Sequence, residues 1–189
     1  MLRKLLFSLS QNLQGRYIDH GDEPYMERFL IGTVFGKRIY LHRFVASDPL
    51  GLHDHPFLHS WSIILAGWYL EERWALRYVR RFFNRIGPND FHRVVLPDNG
   101  KDVWTLFWHT ARVKPWGVMR AVRAGAHGPE YEYAPLSDPE DPEFSEFTKK
   151  SKPGRQLRAE RLIPCGKNAY AVGLAKPVKD ELEVEKPFA

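Results

Sequence analysis

The chain has 189 residues, of which 14% are aromatic and six are tryptophan, with a formal charge of +5 and a pI near 9.3. That length suits one domain with room for an appendage and is ample to bury a core. The charge is too mild to call for nucleic acid. The single Cys165 excludes an internal disulfide framework and fits a reducing cytoplasm, and no run approaches the roughly 18 apolar residues that cross a membrane.

The first residues, Met1-Leu-Arg-Lys-Leu-Leu-Phe-Ser-Leu, begin basic as a signal peptide does, but the apolar run is short and no small-residue cleavage site follows. Leu2, Leu5, Leu6 and Leu9 recur at helical spacing and predict an amphipathic first helix. From Phe29 the signals turn to strands. Runs over 29–34 and 38–45, separated by Phe35-Gly-Lys, read as a hairpin, and 47–51 as a loop. Residues 60–66 are almost continuously apolar, as a buried strand is, and 68–79 and 80–86 form the next pair. Runs at 94–96, 103–110 and 117–122 follow, set off by the turns Gly87-Pro-Asn-Asp90, Pro97-Asp-Asn-Gly100 and Lys114-Pro115. Strands this short and this regular predict an all-β domain, a closed antiparallel barrel or a sandwich.

Beyond Gly128 the composition shifts. Residues 130–146 are acidic and carry Pro135, Pro139 and Pro142, and a basic run leads to Gly154, which together read as an irregular exposed linker. Residues 161–165 and 169–175 flank Gly166-Lys-Asn168 as a terminal hairpin, which would be marginal alone and is expected to dock on the barrel or on a second chain. The expected organisation is a barrel with its N-terminal helix over 1–128, a polar linker over 129–154 and an extension over 155–189.

The chemistry concentrates in 52–69, where His53, His55 and His59 precede the apolar run that ends at Gly67. Side chains alternate along a strand, so residues 53, 55, 57 and 59 share a face if the backbone stays extended, and two imidazoles at i and i+2 can share a metal ion. A His-x-His pair alone arises by chance in a chain with eight histidines, so a further ligand is needed. His92, delivered by the 87–90 turn, supplies it.

A His-x-His pair, an apolar strand closed by Gly, a turn and a third His occur in this order in cupin barrels, and the chain resembles the cupin superfamily. The first cupin motif is His-x-His, three or four residues, Glu, six residues and Gly. Gly67 fits, whereas His59 or Ser60 stands where Glu is customary. The second motif, Pro-x-Gly-x-x-His, is loose here, with Asn89 at the Gly position and Pro88 displaced. A narrower likeness spans about 38–120. There Tyr40-Leu-His-Arg-Phe, His-Asp-His-Pro, Gly67-Trp-Tyr-Leu-Glu, His92-Arg-Val, Trp104-Thr-Leu-Phe and Trp116-Gly look like small cupin-like proteins of phages and bacteria.

The resemblance implies a single cupin-type jelly-roll barrel (a double-stranded β-helix) holding a divalent transition metal on His53, His55 and His92, with His59 as a fourth candidate. Iron leads, with zinc, nickel and manganese as alternatives, and an Fe(II)-dependent dioxygenase acting on a small anionic organic molecule is the leading activity. A metal-independent sugar-nucleotide epimerase-like cupin and a non-enzymatic ligand-binding module are the alternatives. A homodimer is compatible with this reading; membrane and nucleic-acid partners are not expected.

Other candidates weigh less. His42 and His109 read as core or surface histidines, and His20 and His127 as solvated loop residues. Arg73, Arg77, Arg80, Arg81, Arg85 and Arg93 read as an exposed face before an anion site. Glu71 or Glu72 could replace the missing Glu only if a bend returns them to the cavity.

Overall fold

The computed structural model describes residues 1–20, 23–49, 51–74, 76–99, 101–125, 128–135 and 151–161. Helix α1 (Leu2–Ser10) opens the chain and buries Leu6 and Ser10, while Leu2, Leu5 and Leu9 of the expected apolar stripe remain exposed. Strands β1 (Gln14–His20), β2 (Glu23–Val34) and β3 (Lys37–Phe44) follow as a meander. Next come β4 (Ser60–Ala66), β5 (Tyr69–Arg73), β6 (Leu76–Arg80), β7 (Phe83–Ile86), β8 (Arg93–Val95) and β9 (Val103–His109). The chain continues through β10 (Gly117–Gly125), β11 (Gly128–Pro135), β12 (Lys152–Pro153) and helix α2 (Gly154–Arg161).

The strands make a seven-stranded antiparallel sheet in the order β12-β1-β2-β3-β9-β4-β7, a three-stranded sheet β6-β5-β8 and the hairpin β10-β11. Isolated bridges join His53 to His92, His53 to Val118 and Phe57 to Arg112. The β-rich domain expected from the sequence is present, laid out as these three sheets. Two stretches differ from the sequence reading. Residues 128–135, read as the start of an irregular segment, are strand β11, because Glu130-Tyr-Glu-Tyr133 alternates and pairs with β10. Residues 154–161 form a helix, and the hairpin expected after 161 lies outside the described residues.

The large sheet separates two environments. Alternate residues of β2, β3 and β9 send Phe29, Leu41 and Trp104 to one face, where they pack with Leu6 of α1 and Leu157 of α2. The same face carries a sealed ionic layer. Glu27 and Arg43 are 0% and 1% exposed. Arg43 bonds Asp102 at 2.6 Å and Glu27 at 3.3 Å, and Arg158 of α2 bonds Glu27 at 2.7 Å and Ser10 Oγ at 2.8 Å. A Cβ on Gly154 would stand 2.2 Å from the Ser10 carbonyl oxygen, so only glycine lets α2 start this close to α1. At the end of β4, Gly67 has φ +91°, the left-handed region glycine reaches without strain, and this turns the chain into β5. Aliphatic and aromatic side chains such as Ile64, Tyr69, Val94, Leu96 and Val103 close the core elsewhere.

Candidate metal centre

The segment from Gly51 to His59 is not a continuous strand; it is sewn backbone to backbone between the residues around His92 and those from Ala111 to Met119. His53 and His92 exchange both main-chain bonds, at 3.0 and 2.8 Å. Asp54 N–H donates to the Gly117 carbonyl at 3.1 Å, and Met119 N–H donates to Leu52. The buried Asp54 carboxylate accepts from the Gly117 amide and pairs with Lys114, fixing the turn between the two histidines from below.

This stitching brings His53, His55 and His92 together, with one donor nitrogen from each lying within 4.8 Å of the others. The ring centroids are 4.9 Å apart for His53 and His92, 5.0 Å for His55 and His92, and 5.4 Å for His53 and His55. Nitrogens sharing one transition-metal ion stand about 3–4 Å apart, a contraction that ring rotation covers. His53 and His92 are buried and His55 half-buried.

Two buried carboxylates fix the rings. His53 Nδ1 lies 2.9 Å from Asp48 Oδ2, and Asp48 is placed by its amide bond to the Val94 carbonyl. His92 Nδ1 lies 3.0 Å from Glu71 Oε1. A carboxylate accepts the Nδ1 hydrogen, which leaves each Nε2 with its lone pair for another group. His55 Nε2 stands 2.8 Å from His92 Nε2. Two ring nitrogens at that distance need a proton or a cation between them. With the His92 hydrogen committed to Glu71, it is His55 that donates in the metal-free protein.

The electrostatics agree with this division. Burial opposes charge on all three rings, but the Asp48 carboxylate outweighs it at His53 and raises its proton affinity. His55 is held well below the ordinary imidazole range by burial and by the neighbouring histidines, and His92 is lowered mainly by burial. The cluster therefore presents mostly neutral imidazoles, the form that ligates metals. Glu71 is burdened by its own burial, yet bonds from His92, Asn84 at 2.8 Å and Arg73 at 3.0 Å keep its carboxyl far below the usual range. Arg80 adds a 2.7 Å bond to its other oxygen.

The remaining candidates resolve as follows. His59 stands outside the group of three. Its backbone is tied to Thr110, its ring lies 5.7 Å from Trp61, and Ser60 is the residue buried at the start of β4. The bend at Pro56 ends the alternation that would have aligned His59 with His53 and His55. Glu71 does return toward the cavity, onto His92 rather than into the donor group. Arg73 and Arg80 serve Glu71, and Arg77 and Arg93 pair with Glu72 at 2.7 Å each, so most of the arginine-rich stretch is balanced by two glutamates. Asp48 was not singled out by sequence; its only signal is an acid in the loop that precedes the histidines.

The cluster opens on a cavity of about 300 Å³ whose walls include Phe57, Phe107, Ile86 and Val94 as well as polar side chains from the large sheet. Such a volume suits a small organic molecule.

No protein-family model matches the chain, and no curated protein matches it. Among solved structures, a cupin-2 domain protein from Shewanella frigidimarina is 11% identical, covering 57% of this chain and 91% of its own, with a TM-score of 0.41. The DMSP lyase DddQ from Ruegeria pomeroyi is 13% identical over 54% of this chain and 58% of its own, with a TM-score of 0.43. KdgF from a Halomonas species is 12% identical over 51% of this chain and 95% of its own, with a TM-score of 0.38. No helix among the described residues is long and apolar enough to cross a membrane.

Proposed function

We propose that the chain is a cupin-type barrel binding one divalent transition metal through His53, His55 and His92, and that with Fe(II) it acts as a dioxygenase on a small anionic organic substrate. The observation that carries this reading is the cluster itself. Three converging imidazoles, two of them oriented by buried carboxylates, form the donor set and outer support of a transition-metal site. Zinc, nickel and manganese suit the same nitrogens. When bound, the ion would supply a Lewis-acidic centre with positions open to substrate and dioxygen. The protein's own part is to hold the rings, keep them neutral and exclude water. Asp48 and Glu71 do the first, burial does the second for His55 and His92, and Phe57, Phe107, Ile86 and Val94 do the third.

Elemental analysis of untagged protein tests the metal. Close to one equivalent is expected, and His53→Ala, His55→Ala or His92→Ala should each remove most of it. Metal-free wild type whose stability is unchanged by added iron, zinc, nickel or manganese would falsify the site. Substrate-dependent dioxygen uptake by the anaerobically iron-loaded protein, screened over small acids, thiols and diketones, tests the reaction; tight binding without uptake points to a binding module.

One observation favours a second reading. The His53–Asp48 pair, with its raised proton affinity, is the arrangement of a general base, as a metal-independent isomerase or epimerase would need. Activity that survives exhaustive chelation and is lost in Asp48→Asn would decide for it.

A further inference from the structure

On the cavity side of the seven-stranded sheet, one cross-strand row is polar. Arg16 stands opposite Arg28, Arg28 opposite His42, and His42 opposite Thr105. Directly opposed residues on paired strands share a face, and all four line the cavity that holds the histidine cluster. The neighbouring rows are apolar or aromatic, with Ile18, Met26 and Phe44 on one side and Tyr40 and Phe107 on the other.

Arg28 and Thr105 both carry polar atoms that the row leaves unmet. Arg28 Nε donates to His42 Nε2 at 3.2 Å, and the guanidinium carbon lies 5.3 Å from the Tyr40 ring centroid. Among the described residues no carboxylate pairs with it, and its Nη groups have no protein acceptor. His42 is buried and kept neutral by burial and by the Arg28 charge, so it acts as the acceptor that steadies the fork rather than as a counter-ion. Thr105 is 1% exposed, and its Oγ1 is buried with no hydrogen-bond partner. A buried hydroxyl left unmet is unfavourable, and an orphan of this kind two strands from an open guanidinium, in the lining of the same cavity, is what a bound anion would satisfy. The acid in the cavity lining, Asp48, is already committed to His53.

We propose that Arg28 and Thr105 form an anion subsite that takes the carboxylate of the ligand, leaving the rest of the molecule to the histidine cluster in the same cavity; this deepens, and rests on, the metal-site reading above. The planar fork of arginine matches a carboxylate through two parallel bonds, and the Thr105 hydroxyl supplies a further donor. The aromatic and apolar rows on either side, in a cavity of about 300 Å³, select a small monocarboxylic acid with an apolar body.

The test is calorimetric titration of benzoate, benzamide and inorganic phosphate into metal-free and Co(II)-loaded protein, for wild type, Arg28→Gln, Arg28→Lys and Thr105→Val. Wild type is expected to bind benzoate at least about ten-fold more tightly than benzamide in both states. Arg28→Gln should weaken benzoate about 10- to 100-fold, as loss of a charge-assisted contact does, and leave benzamide unchanged. Arg28→Lys should fall between, Thr105→Val should lose several-fold, and cobalt uptake should match wild type throughout. Equal binding of benzoate and benzamide, binding of neither, or an unchanged preference in Arg28→Gln overturns the subsite. Phosphate bound more tightly than benzoate overturns the carboxylate assignment. If Arg28→Gln does not fold, an unchanged benzoate preference in both Arg28→Lys and Thr105→Val overturns it instead. Wild type that takes up no cobalt but discriminates the probes through Arg28 refutes the metal reading and leaves the subsite standing.

Discussion

Arg43 pairs in register with Glu27 and Arg28 with His42, one residue apart on two adjacent strands, yet the two arginines meet opposite fates. Arg43 turns to the helix-covered face, where Glu27, Asp102 and Arg158 close a layer of matched charges with almost no exposure. Arg28 turns to the cavity, where it meets a neutral histidine and an open volume. Burying a charge requires partners, and on the first face the chain supplies them from four separate elements. On the second, among the described residues, no carboxylate pairs with Arg28, and its guanidinium faces the cavity. The same residue type in the same sheet is sealed in where its partners are complete and left open to the cavity where they are not.

The comparison is broken most directly by Arg43→Met. Removing one partner leaves buried Glu27 to Arg158 and Asp102 to Arg3, each short of one cation, so urea denaturation should show a loss of about 3 kcal/mol. Arg28→Met, on the opposite face of the same sheet, should change stability by less than about 1 kcal/mol, since it leaves no buried charge behind. Equal effects from the two would erase the distinction.

Glu71→Gln probes the cavity side at smaller scale. The amide is nearly isosteric but holds the His92 tautomer less firmly, and outer-partner changes of this kind lower metal affinity about 10- to 100-fold. Competition with a chromophoric chelator measures it. Unchanged affinity would reduce Glu71 to a partner of Arg73 and Arg80 alone.

Acid sharpens the contrast further. His42, His55 and His92 have lowered proton affinity in the fold, so as pH falls through 6.5 the unfolded chain takes protons that the folded one refuses, and stability falls. His53 acts in the other direction: its raised proton affinity stabilises the fold fully below 6.5, and that contribution is lost as pH rises through its folded value. Three groups against one leave a net loss on the order of 2 kcal/mol for metal-free protein between about pH 7.5 and 5.5. Denaturation at the two pH values checks it, and a gain in stability at the lower pH would reverse the assignment of which rings are neutral.

The smallest effect is expected at Arg77, 63% exposed and paired with Glu72 on the solvent side of β6. Arg77→Ala should stay within about 0.5 kcal/mol of wild type, as exposed ion pairs do.

Local signals in the sequence reached as far as local physics does. Residues 60–66 and 103–109 carry apolar and aromatic runs that any reading recognises as strands, and both are strands. His53 and His55 are two residues apart and His92 follows a strong turn, so their meeting could be anticipated. Glu71 could not be placed, because its approach to His92 depends on the β5–β8 register, which sets Glu71 against Val94. Asp48 reaches His53 from a loop with no periodicity to mark it. His59 failed the alternation argument at Pro56, where the backbone leaves the extended path. Glu130-Tyr-Glu-Tyr133 was hidden by the prolines and acids that follow it, although its own alternation is that of a strand.

The bond between Arg158 and Glu27 spans 131 positions of the chain. On a ribosome adding roughly 5–20 residues each second, Glu27 would emerge many seconds before the side chain that completes its neutralisation. Through that interval the strands nearest the N-terminus can pair, but Glu27 on their helix-side surface has Arg43 and not yet its second arginine. The last sealing step is therefore set by translation, and a nascent chain halted before residue 154 should be captured by chaperones where one halted well past 161 escapes.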